Sequence, residues 1–194
     1  MCIRDRSKFN QSFKDSNKLK IVFLSRITPV KNLMYVIGVL KFCDSEIEIE
    51  FDIYGAIDEK KYWNQCKTKI NSLSKNIKVN YFGPITHELV EQTLNDYHLF
   101  FLPTLGESFG HAIFEALSVG VPVLISDQTP WTDLVNRSNY AAIPLNNQKK
   151  YIDFIKNLSL MDNDEFINLK SHAAKEFKKY ISSDNYTTSY NELF

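Results

Sequence analysis

From Leu19 onward, short β-branched and aromatic runs alternate with stretches whose apolar residues recur at helical spacing. That alternation constrains the fold more than any other feature of the chain. Lys20–Ile27 (KIVFLSRI) is compact and rich in strand formers, the pattern of a buried strand. Asn32–Phe42 then repeats Leu33, Val36, Ile37 and Leu40 at helical spacing. Further strands are predicted at Ile47–Gly55, Ile77–Gly83, Tyr97–Thr104, Val121–Asp127 and Tyr140–Pro144. Helices are predicted at Glu59–Leu73, Phe109–Val119, around Trp131–Asn136, at Gln148–Leu158 and at Asp162–Tyr180. One more is expected to start at a Thr86 cap, with Leu89, Val90 and Leu94 on its buried side. Strands alternating with helices imply a parallel sheet covered on both faces, an α/β Rossmann-like fold.

Charge and cysteine usage remove several function classes. Lys plus Arg number 23 and Asp plus Glu 23, so no bulk positive charge favours a nucleic-acid partner. The longest apolar run, Val119–Ile125, contains Gly120 and Pro122 and falls far short of the roughly 20 residues of a membrane span. Cys2, Cys43 and Cys66 lack CxxC spacing, which argues against a disulfide framework or zinc site and fits a reducing cytosol. Two of the four arginines, with Cys2, fall in the opening MCIRDR, against a background of lysine and asparagine. That hexapeptide resembles translated adapter sequence and lacks the apolar stretch of a signal peptide. The expectation is a foreign leader and linker over residues 1–18, a domain over 19–194, and a reading frame entered inside a longer gene.

In a parallel sheet, ligands bind beyond the carboxyl ends of the strands near the switch in strand order. The first strand-end loop carries Arg26 and, at the start of the next helix, Lys31. A cation there opposes the helix dipole by about 0.3–1 kcal/mol, a penalty that an anionic ligand would reverse. The plain alternative is a solvated lysine and a structural arginine. The fourth loop runs into ESFGHAIFE, Glu107 to Glu115. On a helical wheel His111, Glu115 and Ser118 form a narrow polar stripe, opposite Ala112, Ile113, Ala116 and Leu117. Gly110 lets a ligand approach the unpaired N–H groups of the first turn. Ordinary helix-entry chemistry, with His111 merely solvated, is the alternative. A fully helical spacing would set the two glutamates about 12 Å apart, too far for a glycosidase pair. Both glutamates read as polar-face positions whose replacement leaves the fold intact.

These residues form a longer pattern: a strand ending in Arg, then Pro-x-Lys-Asn; strands ending Tyr54-Gly55 and Phe82-Gly83; then P-x-x-x-E-S-F-G-x-x-x-x-E-A-L-x-x-G-x-P-V. The pattern resembles the C-terminal, nucleotide-sugar-binding domain of family 4 retaining glycosyltransferases, which have the GT-B fold. The resemblance covers about Lys18 to Tyr180. It implies that Arg26 and Lys31 bind the donor diphosphate and that Glu107 contacts the donor sugar's hydroxyls. It implies Glu115 on the ribose hydroxyls, and donor contacts from Ser108, Phe109, Gly110 and His111. Phe82 and Gly83 would line the base pocket, with Gly55 at the neighbouring strand end, and Thr129-Pro130-Trp131 matches related bacterial members.

The implied reaction moves a sugar from UDP or GDP to an acceptor hydroxyl with retention, in bacterial glycan synthesis. The implied acceptor is a glycan or lipid-linked glycan. No cofactor and no metal are expected, and the fragment alone is expected to be inactive. The implied location is cytoplasmic, with the full-length enzyme peripheral at the inner membrane face. Two departures stand out. The family usually has Gly where this chain has Asn32, a mild change if Asn caps the helix. Residues 1–18 cannot supply the N-terminal acceptor domain. A nicotinamide oxidoreductase would need GxGxxG after the first strand, and glycines occur only at 38, 55, 83, 106, 110 and 120. An epimerase or phosphorylase of the same fold, or a non-catalytic nucleotide-sugar module, are the remaining alternatives.

Overall fold

The computed structural model describes residues 13–183, so the expected leader MCIRDR and the linker up to residue 12 lie outside the described residues. Six parallel strands run in the order β3-β2-β1-β4-β5-β6. They are β1 (Lys18–Leu24), β2 (Glu48–Tyr54), β3 (Ile77–Gly83), β4 (Leu99–Leu102), β5 (Val123–Ser126) and β6 (Ala141–Ile143). The chain steps outward from β1 to β3, then returns to pair β4 against β1, which places the switch in strand order between those two. Seven helices lie between and after the strands: α1 (Leu33–Leu40), α2 (Lys60–Ile70), α3 (His87–Leu94), α4 (His111–Ser118), α5 (Thr132–Arg137), α6 (Gln148–Leu160) and α7 (Asn163–Ile181). α1 packs on α2 and α6, while α4 packs on α3 and α7.

The strand sequences explain the layering. β4 (LFFL) and β5 (VLIS) are buried at every position, as a strand covered on both faces requires. β1 is buried continuously at Ile21, Val22 and Phe23 but exposes Lys18 and Lys20 at its amino end. α7, the longest helix, starts with a capping box: Asp162 accepts from the Glu165 amide and Glu165 accepts from the Asp162 amide. Gly120, at φ +72°, ends α4 as its position in the sequence suggested.

Several expectations need correction. β1 ends at Leu24, so Arg26 lies two residues past the strand; Ile27 stays buried by bridging to Ile57. Leu89 is 49% exposed, whereas Val90 and Leu94 are buried. Those two are four residues apart and share a face, and Leu89 lies a hundred degrees round from Val90. Thr86 does occupy the N-cap of α3, but its side chain makes no cap bond. The described part of the expected linker is docked: Lys14 is fully buried, and its ammonium donates to the carbonyl of Ser159 at 3.0 Å.

His98, just before β4, ties this linker to the sheet. Its Nδ1 accepts from the Lys20 amide at 3.0 Å, which leaves Nε2–H to donate to the Phe13 carbonyl at 3.2 Å. Burial holds the imidazole neutral down to about pH 4, and the nearby Lys14, Lys20 and Lys170 push the same way. The unfolded chain takes up that proton near pH 6.5. The folded state therefore binds fewer protons between these values, and stability falls as pH drops through that window. Denaturant midpoints measured at pH 7, 5.5 and 4 should fall less steeply for His98→Gln than for the wild type. Parallel profiles would remove His98 as the cause.

Candidate functional site

The loops after β1 and β4 and the first turn of α4 enclose a cleft of about 510 Å³ at the carboxyl edge of the sheet. Arg26, Lys31, Glu107, Ser108, Phe109, Gly110 and His111 all line it. A larger hollow of about 640 Å³ lies at the opposite, amino edge, along the first residues of β1, β2 and β3. The carboxyl-edge cleft is the better candidate, because the N–H ends of the helices that follow β1 and β4 converge there.

Lys31 and Glu107 are not separate features. The Lys31 ammonium donates to Glu107 Oε1 at 2.5 Å, and the two side chains are only 15% and 9% exposed. Lys31 ends a 3₁₀ turn, Pro29–Lys31, ahead of α1. Its charge is met by a carboxylate from 76 residues away. This overturns the reading of Glu107 as a free polar-face position: it is half of a largely buried ion pair. Arg26 is more exposed and pairs with Asp58 at 2.9 Å, across the ends of β1 and β2.

Asn32 explains its departure from glycine differently from the expectation. Its backbone is left-handed, at φ +60°, and its side chain does not cap α1. Its amide instead donates to the Pro103 carbonyl at 3.0 Å. The position demands a residue that tolerates positive φ, and Asn follows Gly in that tolerance. Gly110, the N-cap of α4, is likewise left-handed at φ +79°. Phe109 is held from behind: the indole N–H of the buried Trp131 donates to its carbonyl, and the two rings meet edge to face at 5.1 Å.

Glu115 sits on the expected side of α4, beyond the cleft lining, with its side chain 15% exposed. Its Oε1 lies 3.0 Å from Nδ1 of His87, the first residue of α3. Burial raises the Glu115 carboxyl above its ordinary range; His87 and His111 oppose that rise, and Glu91 adds to it. Ser118, the third member of the stripe, turns its hydroxyl back to the Glu115 carbonyl at 2.7 Å.

Phe82, next to last in β3, is 55% exposed, and its ring stacks on that of Tyr54 at 5.0 Å. The Tyr54 hydroxyl lies 3.2 Å from that of Tyr97, which donates to buried Asp52 at 2.7 Å; Asn80 donates to the other Asp52 oxygen, also at 2.7 Å. Gly83, at φ +78°, has open space where a Cβ would point. Gly55 does not: a Cβ there would fall 1.9 Å from the Ser25 carbonyl oxygen. Gly55 therefore has a packing reason of its own, at the seam between the ends of β1 and β2.

The strand-end loops are bonded to one another. The Leu105 amide donates to the Val30 carbonyl at 2.8 Å, as does the Thr104 hydroxyl at 3.1 Å. The Ser126 hydroxyl donates to the Thr104 carbonyl at 2.5 Å, and the Glu107 amide to the Gln128 carbonyl at 3.2 Å. Sequence reasoning missed Asp58, His87, Thr104 and Ser126. Asp58 and Thr104 follow strand ends, and His87 opens a helix, so the strand-end rule applied to every charged or hydroxyl residue would have raised them.

A curated relative, the UDP-N-acetylglucosamine–peptide N-acetylglucosaminyltransferase GtfA subunit of Streptococcus agalactiae, is 23% identical over 115 residues. That match covers 59% of this chain and 22% of the relative, so the chain spans about a fifth of that protein's length. The catalytic domain of cholesterol-α-glucosyltransferase from Helicobacter pylori superposes with a TM-score of 0.68 at 21% identity, covering 84% of this chain and 98% of that one. Anabaena HepE, solved with UDP and glucose, gives 0.71 at 20% identity, covering 84% of this chain and 44% of that one. A glycosyltransferase from Rickettsia africae gives 0.72 at 18%, covering 85% and 44%. At these identities the superpositions establish a shared fold. With the model of the glycosyl transferases group 1 family matching residues 4–180, the chain belongs to that family.

Proposed function

We propose that this chain is the donor-binding half of a retaining sugar transferase of bacterial glycan synthesis. In this reading it grips a UDP- or GDP-sugar, and an N-terminal domain supplies the acceptor. The observation that carries the reading is the convergence on one edge of two cations, Arg26 and Lys31, with the first turn of α4 and two shielded carboxylates, Glu107 and Glu115. The names of similar proteins support it: a UDP-N-acetylglucosamine transferase among curated proteins, and structures holding UDP or UDP-glucose.

The bond that breaks is the one between the anomeric carbon and the diphosphate. The leaving diphosphate gains negative charge in the transition state. In this reading that charge is taken up by Arg26, Lys31 and the N–H groups of His111 and Ala112, which line the cleft and which the helix itself cannot satisfy. A diphosphate on Lys31 and a sugar hydroxyl on Glu107 would meet an already assembled cation and anion. Glu115, further along α4, is the acceptor for the ribose hydroxyls. In this reading the cations do the work of a metal, and no divalent ion is needed.

Calorimetry with UDP and with GDP, with and without EDTA, tests this directly. One of the two nucleotides should bind equally well with and without the chelator. Glu115→Ala should weaken it by about 1–3 kcal/mol, the scale of lost charge-assisted hydrogen bonds. Strict dependence on magnesium or manganese would overturn the cation-based mechanism.

A further inference from the structure

The contact between His87 and Glu115 has no counterpart in the motif residues, and it joins two helices at the carboxyl edge. Glu115 is shielded, 15% exposed, while His87 stands 85% exposed over it. A carboxylate only accepts, so His87 Nδ1 must carry the proton in their 3.0 Å contact. A carboxylate offers about four lone-pair positions on two oxygens. His87 uses one of them, on Oε1, which leaves Oε2 and the rest of Oε1 for a pair of neighbouring hydroxyls.

We propose that His87 is a positioning residue for donor binding, fixing the Glu115 carboxylate so that it presents its remaining acceptor positions to the vicinal hydroxyls of the nucleotide's ribose. The inference rests on the reading of Glu115 given above. His87 opens α3 and Glu115 sits about one turn into α4, so neither helix alone fixes the carboxylate's rotamer. The contact supplies that restraint. It also makes the site sensitive to pH. The charged groups facing the pair are Glu88 and Glu91 on α3 and His111 on α4. An imidazole changes charge within about pH 5–8, and a protonated His87 holds an ionised Glu115 more tightly.

UDP titrations at pH 5.5 and pH 8 would test this, using the wild type, His87→Ala, His87→Asn, Glu115→Ala and the double variant His87→Ala/Glu115→Ala. The UDP phosphate itself titrates near about pH 6, equally for every protein, so affinity ratios between proteins are the readout. His87→Ala should weaken UDP binding about two- to fivefold at pH 5.5, the scale of a partly exposed ion pair, and less at pH 8. His87→Asn keeps a donor without the titration, so it should match the wild type at pH 8 and fall behind it at pH 5.5. The double variant should bind no worse than Glu115→Ala. Equal UDP affinity for His87→Ala and wild type at both pH values, with Glu115→Ala weakened, would overturn the role of His87 and leave the site reading standing. The same titrations are run with GDP if the wild type takes it in place of UDP; an unchanged Glu115→Ala, or no binding of either nucleotide by any protein, would remove the ribose reading and this inference with it.

Discussion

Gly55→Ala is expected to cost about 3 kcal/mol or more, or to prevent folding altogether. The backbone there holds φ +143°, which L-residues rarely adopt, and the added Cβ would fall 1.9 Å from the Ser25 carbonyl oxygen and 2.6 Å from its carbon. Neither side can retreat cheaply. The Ser25 amide donates to the Tyr54 carbonyl at 3.0 Å, the Ile27 amide to Ala56 at 2.8 Å, and the Gly55 amide to Gly83 at 2.9 Å. The Tyr81 hydroxyl adds a bond to the Gly55 carbonyl at 2.9 Å. Moving the chain by the needed ångström would open the ends of β1, β2 and β3 together. Gly106→Ala is the control: it also lies in a strand-end loop, but its Cβ would meet nothing within 4 Å. Its change should stay within about 0.5 kcal/mol. Denaturant midpoints for the two variants decide the matter, and similar midpoints would sink the argument.

Glu107→Ala should do two separable things. It leaves the Lys31 ammonium in a site only 15% exposed without its carboxylate, which should cost about 1–3 kcal/mol of stability. Removing both charges together, as Lys31→Met/Glu107→Gln, should restore part of that loss, because no buried charge is then left alone. On the ligand side, freeing Lys31 leaves it available to a diphosphate, so plain UDP or GDP should bind Glu107→Ala at least as well as wild type. Affinity for the intact nucleotide sugar should fall, and transfer by the complete enzyme should be abolished. If plain nucleotide is weakened as much as in Glu115→Ala, the donor lies the other way round on α4.

The features legible from sequence were those written locally. β4 and β5 are apolar at nearly every position and end against Pro103 and Asp127, so their type and burial could be read directly. The strand-end positions of Arg26, Lys31 and the Glu107–Glu115 segment followed from the same pattern. What escaped was set by contacts across the chain. Lys31 meets Glu107 across 76 residues, and Lys14 is buried by Ser159 across 145. No local periodicity records either pairing, so one glutamate looked free and one lysine looked like part of a linker. Leu89 was misjudged for a different reason: α3 has only eight residues, too few turns to separate its buried face from the residue beside it. At Asn32 the left-handed backbone, and not helix capping, accounts for the residue, and no local pattern records that angle.

The hydrogen bonds that stitch the loops after β1, β4 and β5 bear on how a ligand would be received. Thr104, bonded to Val30, Gly106 and Ser126, makes these connections behave as one unit instead of three floppy segments. The entropy lost on binding then falls mainly on the ligand, whose sugar and diphosphate torsions freeze, and little on the protein. Amide protons at Leu105 and Glu107 should exchange with solvent slowly for loop positions. Selectivity at this edge would then come from the fixed shape of a rigid rim, with discrimination expressed in how readily a ligand leaves more than in how fast it arrives.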